Sequence, residues 1–348
     1  MAKETQHTQI LSKLVHGSNL RQKESHLTKY RDATSTTYLG EIREKYDEWS
    51  KANMELIGPC SVDTEHDQEI LIKRIELLEQ YKKFIDQQHY AEKFDSRSNL
   101  HSSVLEEFMY YLFKDLVAEF GEHALIGKSH SFKDIFFSPP KYGDMLDRSY
   151  AKIEKKDHDF VIGATYQASF DAKKPPESAP DSAGEVEVKV EKKPSDYEEV
   201  TVATASDARL FDIPDSAAEA VAGAESHLFD VPAVAIECKT YLDKTMLEGS
   251  SRAAEEIKAR HPNGLYIVVM EYIKLTEAVN LRKYKVDQIY VLRKQKNTDR
   301  EFRYATSYTQ NPIDYITVKH LFDTVRTHLV KDWTGDVASG LERGWLIE

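Results

Sequence analysis

An acid and an amine, Glu237 and Lys239, follow a short apolar run in VPAVAIECKTYLDKTMLEG, residues 231–249. The run 234–236 predicts a buried strand, and strand residues two apart point to the same face. Glu237 and Lys239 are therefore expected to leave the end of this strand side by side. Cys238, between them, is expected to point to the opposite face as a small core residue.

A second strand with acids at its start is predicted upstream, where Asp157 and Asp159 precede the apolar run 160–164. If the two strands are neighbours, Asp159, Glu237 and Lys239 form one set. Phosphodiester hydrolysis needs an activated water and stabilisation of extra charge on the phosphate, which divalent metals held by carboxylates supply. Mg²⁺ prefers hard oxygen ligands, and an adjacent amine can orient or help deprotonate the attacking water. Asp157 competes with Asp159 as the metal ligand.

The elements that must position these groups alternate between helical and strand patterns. Spacings of three and four residues predict helices, and uninterrupted apolar runs predict buried strands. The predicted helices cover 8–15, 38–57, 68–88, 102–121, 242–260 and 312–333, and the further strands cover 265–272 and 287–294. This order predicts an α/β fold, with a mixed central sheet flanked by helices and a mostly helical N-terminal region.

The helix predicted at 102–121 has the strongest apolar pattern in the chain. On a helical wheel Glu106 lies on the edge of its broad apolar face, so it could reach a site beside the sheet. Glu107 lies on the far side near Lys114 and is expected to be solvated.

Charge is distributed unevenly along the chain. The formal net charge is -12, which at first argues against a nucleic-acid partner. The stretch 171–230, however, holds 15 acidic and 6 basic residues and accounts for most of that charge. It is also rich in Ala, Ser, Pro and Val with little periodicity, which is typical of a weakly ordered insertion. A local basic surface elsewhere could still hold phosphates.

Several protein classes are disfavoured by composition. The chain has 2 cysteines, Cys60 and Cys238, so disulfide scaffolds and cysteine-based zinc sites are not expected. No segment approaches the roughly 20 apolar residues that span a bilayer, and the N-terminus lacks a signal-peptide pattern. These features predict a cytoplasmic protein with no membrane partner.

An acid at one strand followed by Glu-x-Lys on a later strand resembles the PD-(D/E)XK nuclease superfamily. Four stretches, LEEFMYYLFKDL, KDHDFVIG, AIECKTYLDKTMLEG and NPIDYITVKHLF, further resemble type II restriction endonucleases of the DdeI and BbvCI kind. The sequence departs from the superfamily pattern in having His158 before Asp159 and a long gap before Glu237. An insertion at about 171–230 that extends the hairpin would account for the gap.

The resemblance implies a magnesium-dependent, sequence-specific endonuclease that cuts double-stranded DNA and leaves 5'-phosphate ends. It implies that Asp159, Glu237 and Lys239 carry cleavage and that Asp159 and Glu237 bind Mg²⁺. Many members also use a Glu from the preceding helix, and Glu106 is the candidate here, although an ordinary surface acid remains an alternative. A second subunit, either another copy or a related chain, is the implied partner. The expected organisation is a helical region at 1–98, a candidate recognition or partner element, and a nuclease domain at 99–348.

DNA contacts are the least specified part of the sequence. Arg21 and Lys23 fall in a locally basic stretch, with Lys29 and Arg31 on the same predicted helix, and Lys244 opens the helix after Glu-x-Lys. We expect Arg21, Lys23 and Lys244 to contact DNA, with solvated helix surface as the alternative for each. Asp243 is expected to cap the helix that Lys244 opens.

Three other functions remain open on sequence grounds. A repair or mobile-element nuclease would use the same site with structural selectivity, and a non-cutting DNA-binding subunit would keep the fold alone. An interaction protein with no nucleic-acid role would fit the net charge of -12. A site that no longer cuts has no physical reason to hold unsatisfied like charges together, so Asp159, Glu237 and Lys239 favour cleavage over a non-cutting subunit.

Overall fold

The computed structural model describes residues 14–94, 99–170, 225–333 and 337–344. Its α-helices, in chain order, are α1 (Val15–Ser25), α2 (Ala33–Glu55), α3 (Asp67–Ile85), α4 (Gln88–Phe94), α5 (Asn99–Ala118), α6 (Tyr142–Met145), α7 (Lys244–Lys258), α8 (Tyr315–Val330) and α9 (Val337–Arg343). The strands are β1 (Ala124–Phe137), β2 (Ala151–Phe170), β3 (Glu225–Leu242), β4 (Leu265–Ile273) and β5 (Gln288–Lys296). None of the described helices is long and apolar enough to cross a bilayer.

The five strands form one sheet in the order β1-β2-β3-β4-β5. β3 pairs with β4 in parallel, and β4 pairs with β5 in parallel. The segment between β3 and β4 and the segment between β4 and β5 each return to the starting end of the sheet, because parallel strands require such a crossover. The predicted α/β arrangement of a mixed sheet flanked by helices is confirmed.

Strand β3 is much longer than the short run predicted at 234–236. It begins at Glu225, so residues 225–230, which were expected to belong to the acidic insertion, lie in a strand. The rest of the expected insertion, 171–224, lies outside the described residues. At the other end β3 stays paired with β4 as far as Leu242 and Ile273. Glu237 and Lys239 therefore lie inside a paired strand, because β4 continues alongside them.

The acids of β2 also lie inside a strand rather than at its start. β2 begins at Ala151, and Asp157 and Asp159 are its seventh and ninth residues. Before Phe160 most side chains of this strand are at least partly exposed, so charged residues can occupy it without desolvation. The apolar run beginning at Phe160 is the part that enters the core.

Each face of the sheet covers its own apolar core. One core holds Val234, Ile236 and Cys238 together with side chains from α1 to α5 and α8. The other holds Ala235 and Leu242 with the apolar face of α7 and with residues of β4. Val234, Ile236 and Cys238 enter one core and Ala235 enters the other, because successive side chains on a strand point to opposite faces. The prediction that Cys238 is a small core residue is confirmed by its 2% exposure.

Helix α5 is buried on every side, and this overturns the expectation for Glu107. The side chain is fully buried, and it accepts hydrogen bonds from the backbone N–H groups of His16 (2.9 Å) and Gly17 (3.1 Å) and from the Tyr111 hydroxyl (2.7 Å). The sequence pattern placed Glu107 on a solvated face because nothing in it showed that α1 packs there. Phe120, by contrast, is 52% exposed because α5 ends at Ala118.

The chain separates into two compact units. The first unit consists of the described residues within 1–131, 156–164 and 230–348, and the second of those within 132–155 and 165–229. The second unit has its own ion pair, with Lys133 Nζ 2.5 Å from Glu154 Oε1, and its own aromatic contact between Phe132 and Phe229. All the groups of the candidate site belong to the first unit.

Candidate active site

Lys239 lies between the two carboxylates predicted to share its site. Its ammonium is 3.0 Å from Glu237 Oε1 and 3.2 Å from Asp159 Oδ2. The structure thus brings together an acid from β2 with an acid and an amine from β3. Each of the three side chains keeps between 22% and 27% of its surface exposed, so the cluster is open to solvent on one side.

The backbone of β3 fixes Asp159 as well. The N–H of Cys238 donates to Asp159 Oδ2 at 3.0 Å, the same oxygen that Lys239 contacts. Close approach of the two strands is helped by Gly163, because a Cβ there would meet the carbonyl oxygen of Val231 at 2.1 Å. Any larger residue at 163 would therefore push β2 and β3 apart near the site.

Glu237 is held in its ionised form. Burial opposes its ionisation, but the Lys239 ammonium and the hydroxyl of Tyr266, which donates to Glu237 Oε2 at 2.8 Å, outweigh burial and lower its pKa. Burial, followed by the charge of Glu237, raises the pKa of Tyr266, so this hydroxyl keeps its proton and remains a donor. Tyr266 was not singled out from the sequence, where the available signal was a hydroxyl near the start of a mostly apolar strand.

Lys239 is a stable cation in this arrangement. Burial alone would lower its pKa, but the negative charges of Asp159 and Glu237 outweigh burial and raise it. The amine can therefore orient a water or balance the charge of a phosphate. It is poorly suited to accept a proton while both carboxylates remain ionised beside it.

Glu106 approaches the same cluster from helix α5. It is 9% exposed, and burial, then the charge of Asp159, raises its pKa to about 7. The positive charges of Lys128 and Lys239 act in the opposite direction. The edge position on the helical wheel thus places Glu106 within electrostatic reach of Asp159, whereas Glu107, its neighbour in sequence, faces α1.

Asp157 occupies a different environment from Asp159. Its side chain is 69% exposed and contacts His130 Nδ1. Among the described residues, Asp159 and not Asp157 contacts Lys239 and the backbone of β3. Asp159 therefore lies beside Glu237, and Asp157 lies two residues away along an exposed part of the strand.

The candidate DNA-binding residues do not share one surface element. Helix α1 ends at Ser25, so Lys29 and Arg31 lie beyond it and not on one helix with Arg21 and Lys23 as expected. The Lys23 ammonium lies 5.2 Å from the centroid of the Tyr30 ring, and burial lowers its pKa.

Lys244 opens α7, which Asp243 caps as expected by accepting from the Met246 N–H at 2.9 Å. The Lys244 side chain is 64% exposed, and its ammonium lies 3.9 Å from Glu248 Oε1. This leaves the ammonium accessible to a phosphate, and the expected contact stays a prediction.

The donor chemistry of the cluster suits a hard divalent cation. Asp159 and Glu237 present carboxylate oxygens to a single shared ammonium, and Glu106 adds a third acid whose ionisation Asp159 opposes. A cation between these acids would relieve that repulsion. No group of three or more His, Cys, Asp or Glu side chains already converges in metal-binding geometry within the described residues. The acids therefore fit as ligands of a partly hydrated ion and not as a closed cage.

Comparison with known proteins finds a matching sequence family and matching solved structures. A sequence model described as Bpu10I restriction endonuclease matches residues 97–207 and 213–346. A solved structure titled "native BbvCI A2B2 tetramer at low resolution" matches with a TM-score of 0.57 and 20% sequence identity, covering 93% of this chain and 98% of that chain. That likeness shows a shared fold. No curated protein sequence matches the chain.

Proposed function

The chain belongs to the Bpu10I restriction endonuclease family, and on this premise we propose that Asp159, Glu237 and Lys239 form its magnesium-dependent DNA-cleavage site. The protein is a type II site-specific nuclease. The observation that supports the proposed site is the single ammonium shared by two carboxylates from neighbouring strands. This is the acid, acid and amine set that the PD-(D/E)XK pattern requires.

Asp159 and Glu237, with Glu106 close by, are the residues that would hold Mg²⁺. When bound, this ion would supply Lewis-acid stabilisation of the phosphate and a more acidic water. The residues of the chain have separate tasks. Tyr266 and the Cys238 N–H hold Glu237 and Asp159 in place, so that the carboxylates need little reorganisation.

Lys239 orients the attacking water and balances charge at the scissile phosphate. Its raised pKa keeps it cationic, which suits attraction of the phosphate. Attack of water on phosphorus would break the bond to the 3'-oxygen, with the proton of the water passing to solvent and the 3'-oxygen taking one up, which would leave 5'-phosphate and 3'-hydroxyl ends.

We further propose that the chain acts with a second subunit. The protein of the matching solved structure is titled an A2B2 tetramer, which contains two kinds of subunit. The described site supplies one set of three groups, which is sufficient for one strand of a duplex. Cleavage of both strands would then require either another copy or a related chain.

The first experiment is incubation of the full-length protein with mixed plasmid DNA and magnesium, followed by sequencing of the fragment ends. We expect discrete fragments with 5'-phosphate ends and no cleavage when a chelator removes the metal. Lys239→Ala is expected to slow cleavage by on the order of 10²–10³-fold, because it removes one charge-stabilising group. Cutting of a single strand would indicate a different second subunit.

Two results would contradict the proposal. One is a Lys239→Ala protein that cuts at the wild-type rate. The other is a wild-type protein, folded by circular dichroism, that cuts no DNA with magnesium, either alone or as a mixture with a related subunit.

A further inference from the structure

A cavity separate from the groups of the candidate site lies beside the end of strand β4. It has a volume of about 230 Å³ and is lined by Lys83, Tyr272, Arg300, Arg303, Tyr304 and Tyr308, among others. All of these residues belong to the first compact unit. None of them has a part in the proposed cleavage chemistry.

Two guanidinium groups in this cavity lie over aromatic rings. Arg300 lies 5.3 Å from the centroid of the Tyr272 ring, and Arg303 lies 4.7 Å from that of Tyr304. Such contacts orient a guanidinium while leaving its N–H groups available for an anion. Neither Arg300 nor Arg303 forms an ion pair with a carboxylate in the part of the chain that the structure describes.

Asp86 is the acid in the cavity wall: burial opposes its ionisation, but the charge of Lys82, the hydrogen bond with His101 and the charge of Arg300 outweigh burial and lower its pKa. Asp86 Oδ1 lies 3.0 Å from His101 Nδ1, and Asp86 Oδ2 lies 4.0 Å from the Lys82 ammonium. The Tyr308 hydroxyl, in contrast, is buried and has no hydrogen-bond partner among the described residues. The cavity therefore offers two cationic groups and an unsatisfied hydroxyl, which is the chemistry that binds a phosphate.

Two elements are shared by this cavity and the candidate site. On the sheet, Tyr272 of β4 pairs with Tyr241 of β3, which is two residues beyond Lys239. The Cα atoms of Tyr272 and Lys239 are therefore about 7 Å apart along the strand direction and one strand spacing apart across the sheet. On helix α5, His101 contacts Asp86 of the cavity, and Glu106 of the site follows one and a half turns later, about 7.5 Å along the axis.

We propose that Arg300 and Arg303 bind a backbone phosphate of the DNA substrate, a few nucleotides from the scissile one. This inference rests on the proposed DNA cleavage and adds a substrate-positioning site to it. The two guanidinium groups hold the phosphate oxygens, and the half-exposed Tyr304 ring packs against the adjoining sugar. Phosphate contacts of this kind fix the register of the protein on DNA without reading sequence.

The test measures binding of a labelled duplex that carries the cleavage site, without divalent metal so that it stays intact. Full-length wild type is compared with Arg300→Gln/Arg303→Gln by fluorescence anisotropy at several salt concentrations. We expect the double substitution to raise Kd at least tenfold at 0.1 M salt and to reduce the salt slope by about 1. The rate at saturating DNA with magnesium should stay within about threefold of wild type, since no group of the cleavage site is altered.

Arg282→Gln/Lys283→Gln is the matched control. It removes the same charge from exposed residues outside the cavity, and Lys283 also lies over an aromatic ring, 4.9 Å from the centroid of Tyr284. An equal loss of binding in this control would overturn the cavity proposal, as would wild-type Kd and salt slope in the cavity variant. If wild type cuts DNA and only the cavity result fails, the proposed cleavage stands. If wild type neither binds nor cuts duplex DNA, both proposals fail.

Discussion

At the scale of single residues, the candidate site depends on one ammonium that neutralises two acids. Lys239 contacts Asp159 and Glu237, and its raised pKa reflects their charges. Both acids are also held by neutral donors, the Cys238 N–H and the Tyr266 hydroxyl. The arrangement is pre-organised, because hydrogen bonds and the shared ammonium already hold both carboxylates in place.

Substitution of Asp159 and Asp157 distinguishes the two acids that the sequence left open. Asp159→Asn is expected to lower the cleavage rate by at least about 10²-fold, since it weakens a metal ligand. Asp157→Asn, on the same strand but exposed and paired with His130, should cut within about threefold of wild type. Single-turnover cleavage measures both. Loss in Asp157→Asn alone would assign the metal ligand to Asp157, and equal losses would contradict the choice of Asp159 over Asp157.

At the scale of elements, helix α5 serves two sides of the molecule with adjacent residues. Glu106 faces the candidate site, whereas Glu107 accepts the first backbone N–H groups of α1. A carboxylate at these groups satisfies donors that have no partner within α1 and interacts favourably with the helix dipole. The close fit is reinforced at Gly17, where a Cβ would meet the Tyr46 hydroxyl at 2.2 Å.

Loss of this carboxylate should destabilise the protein. Glu107→Ala leaves the buried N–H groups of His16 and Gly17 without an acceptor, at a cost of about 3 kcal/mol in the free energy of unfolding. Glu107→Gln keeps an acceptor oxygen and should cost less. Urea unfolding at neutral pH measures both. Equal stability of wild type and Glu107→Ala would show that Glu107 does not anchor α1.

The same residue predicts a dependence of stability on pH. Burial raises the pKa of Glu107 from 4.5 to about 7, so the folded protein holds this proton more tightly than the unfolded chain. Its contribution is fully present below about pH 4.5 and is lost as the pH rises through 7. Relative to wild type, Glu107→Gln should gain up to about 3 kcal/mol between pH 4.5 and 8. Burial also lowers the pKa of His16, so His16 adds its own pH dependence to the stability of both proteins. The difference in free energy of unfolding between wild type and Glu107→Gln therefore reports Glu107 alone.

At the scale of the whole molecule, buried ion pairs join the N-terminal helices to the sheet. Arg293 of β5 donates to Glu271 of β4 at 3.1 Å and to Glu79 of α3 at 2.8 Å. Lys82 of α3 lies 2.6 Å from the other oxygen of Glu271. The helices and the sheet also share one apolar core. They are therefore expected to unfold together.

Glu79 and Glu76 provide a matched test of this coupling, because both lie on α3. Glu79→Ala removes a partner of the buried Arg293 and should lower the free energy of unfolding by about 3 kcal/mol. Glu76→Ala removes an exposed pair with Lys73 and should change it by less than about 1 kcal/mol. Urea unfolding followed by both fluorescence and circular dichroism measures the effect. Two separate transitions, or equal effects of the two substitutions, would contradict the coupling.

The sequence by itself determined several of the elements and the identity of the candidate groups. Periodicity located helices α2, α3, α5, α7 and α8 and strands β3 to β5, because local spacing sets which face of an element is apolar. The alternation of side chains along a strand was enough to put Glu237 and Lys239 together and Cys238 on the other face. The Glu-x-Lys pattern and its neighbours were enough to indicate the nuclease family.

The tertiary structure decided which groups meet. The choice of Asp159 over Asp157 as neighbour of Lys239 depends on the pairing of β2 with β3, and that register is a long-range property. The burial of Glu107 depends on α1 packing against α5 from 90 residues away in the chain. The cavity of Arg300 and Arg303 draws on α3, β4 and the segment after β5. Local spacing cannot encode such contacts, because each is made by elements whose separation in sequence bears no relation to their separation in space.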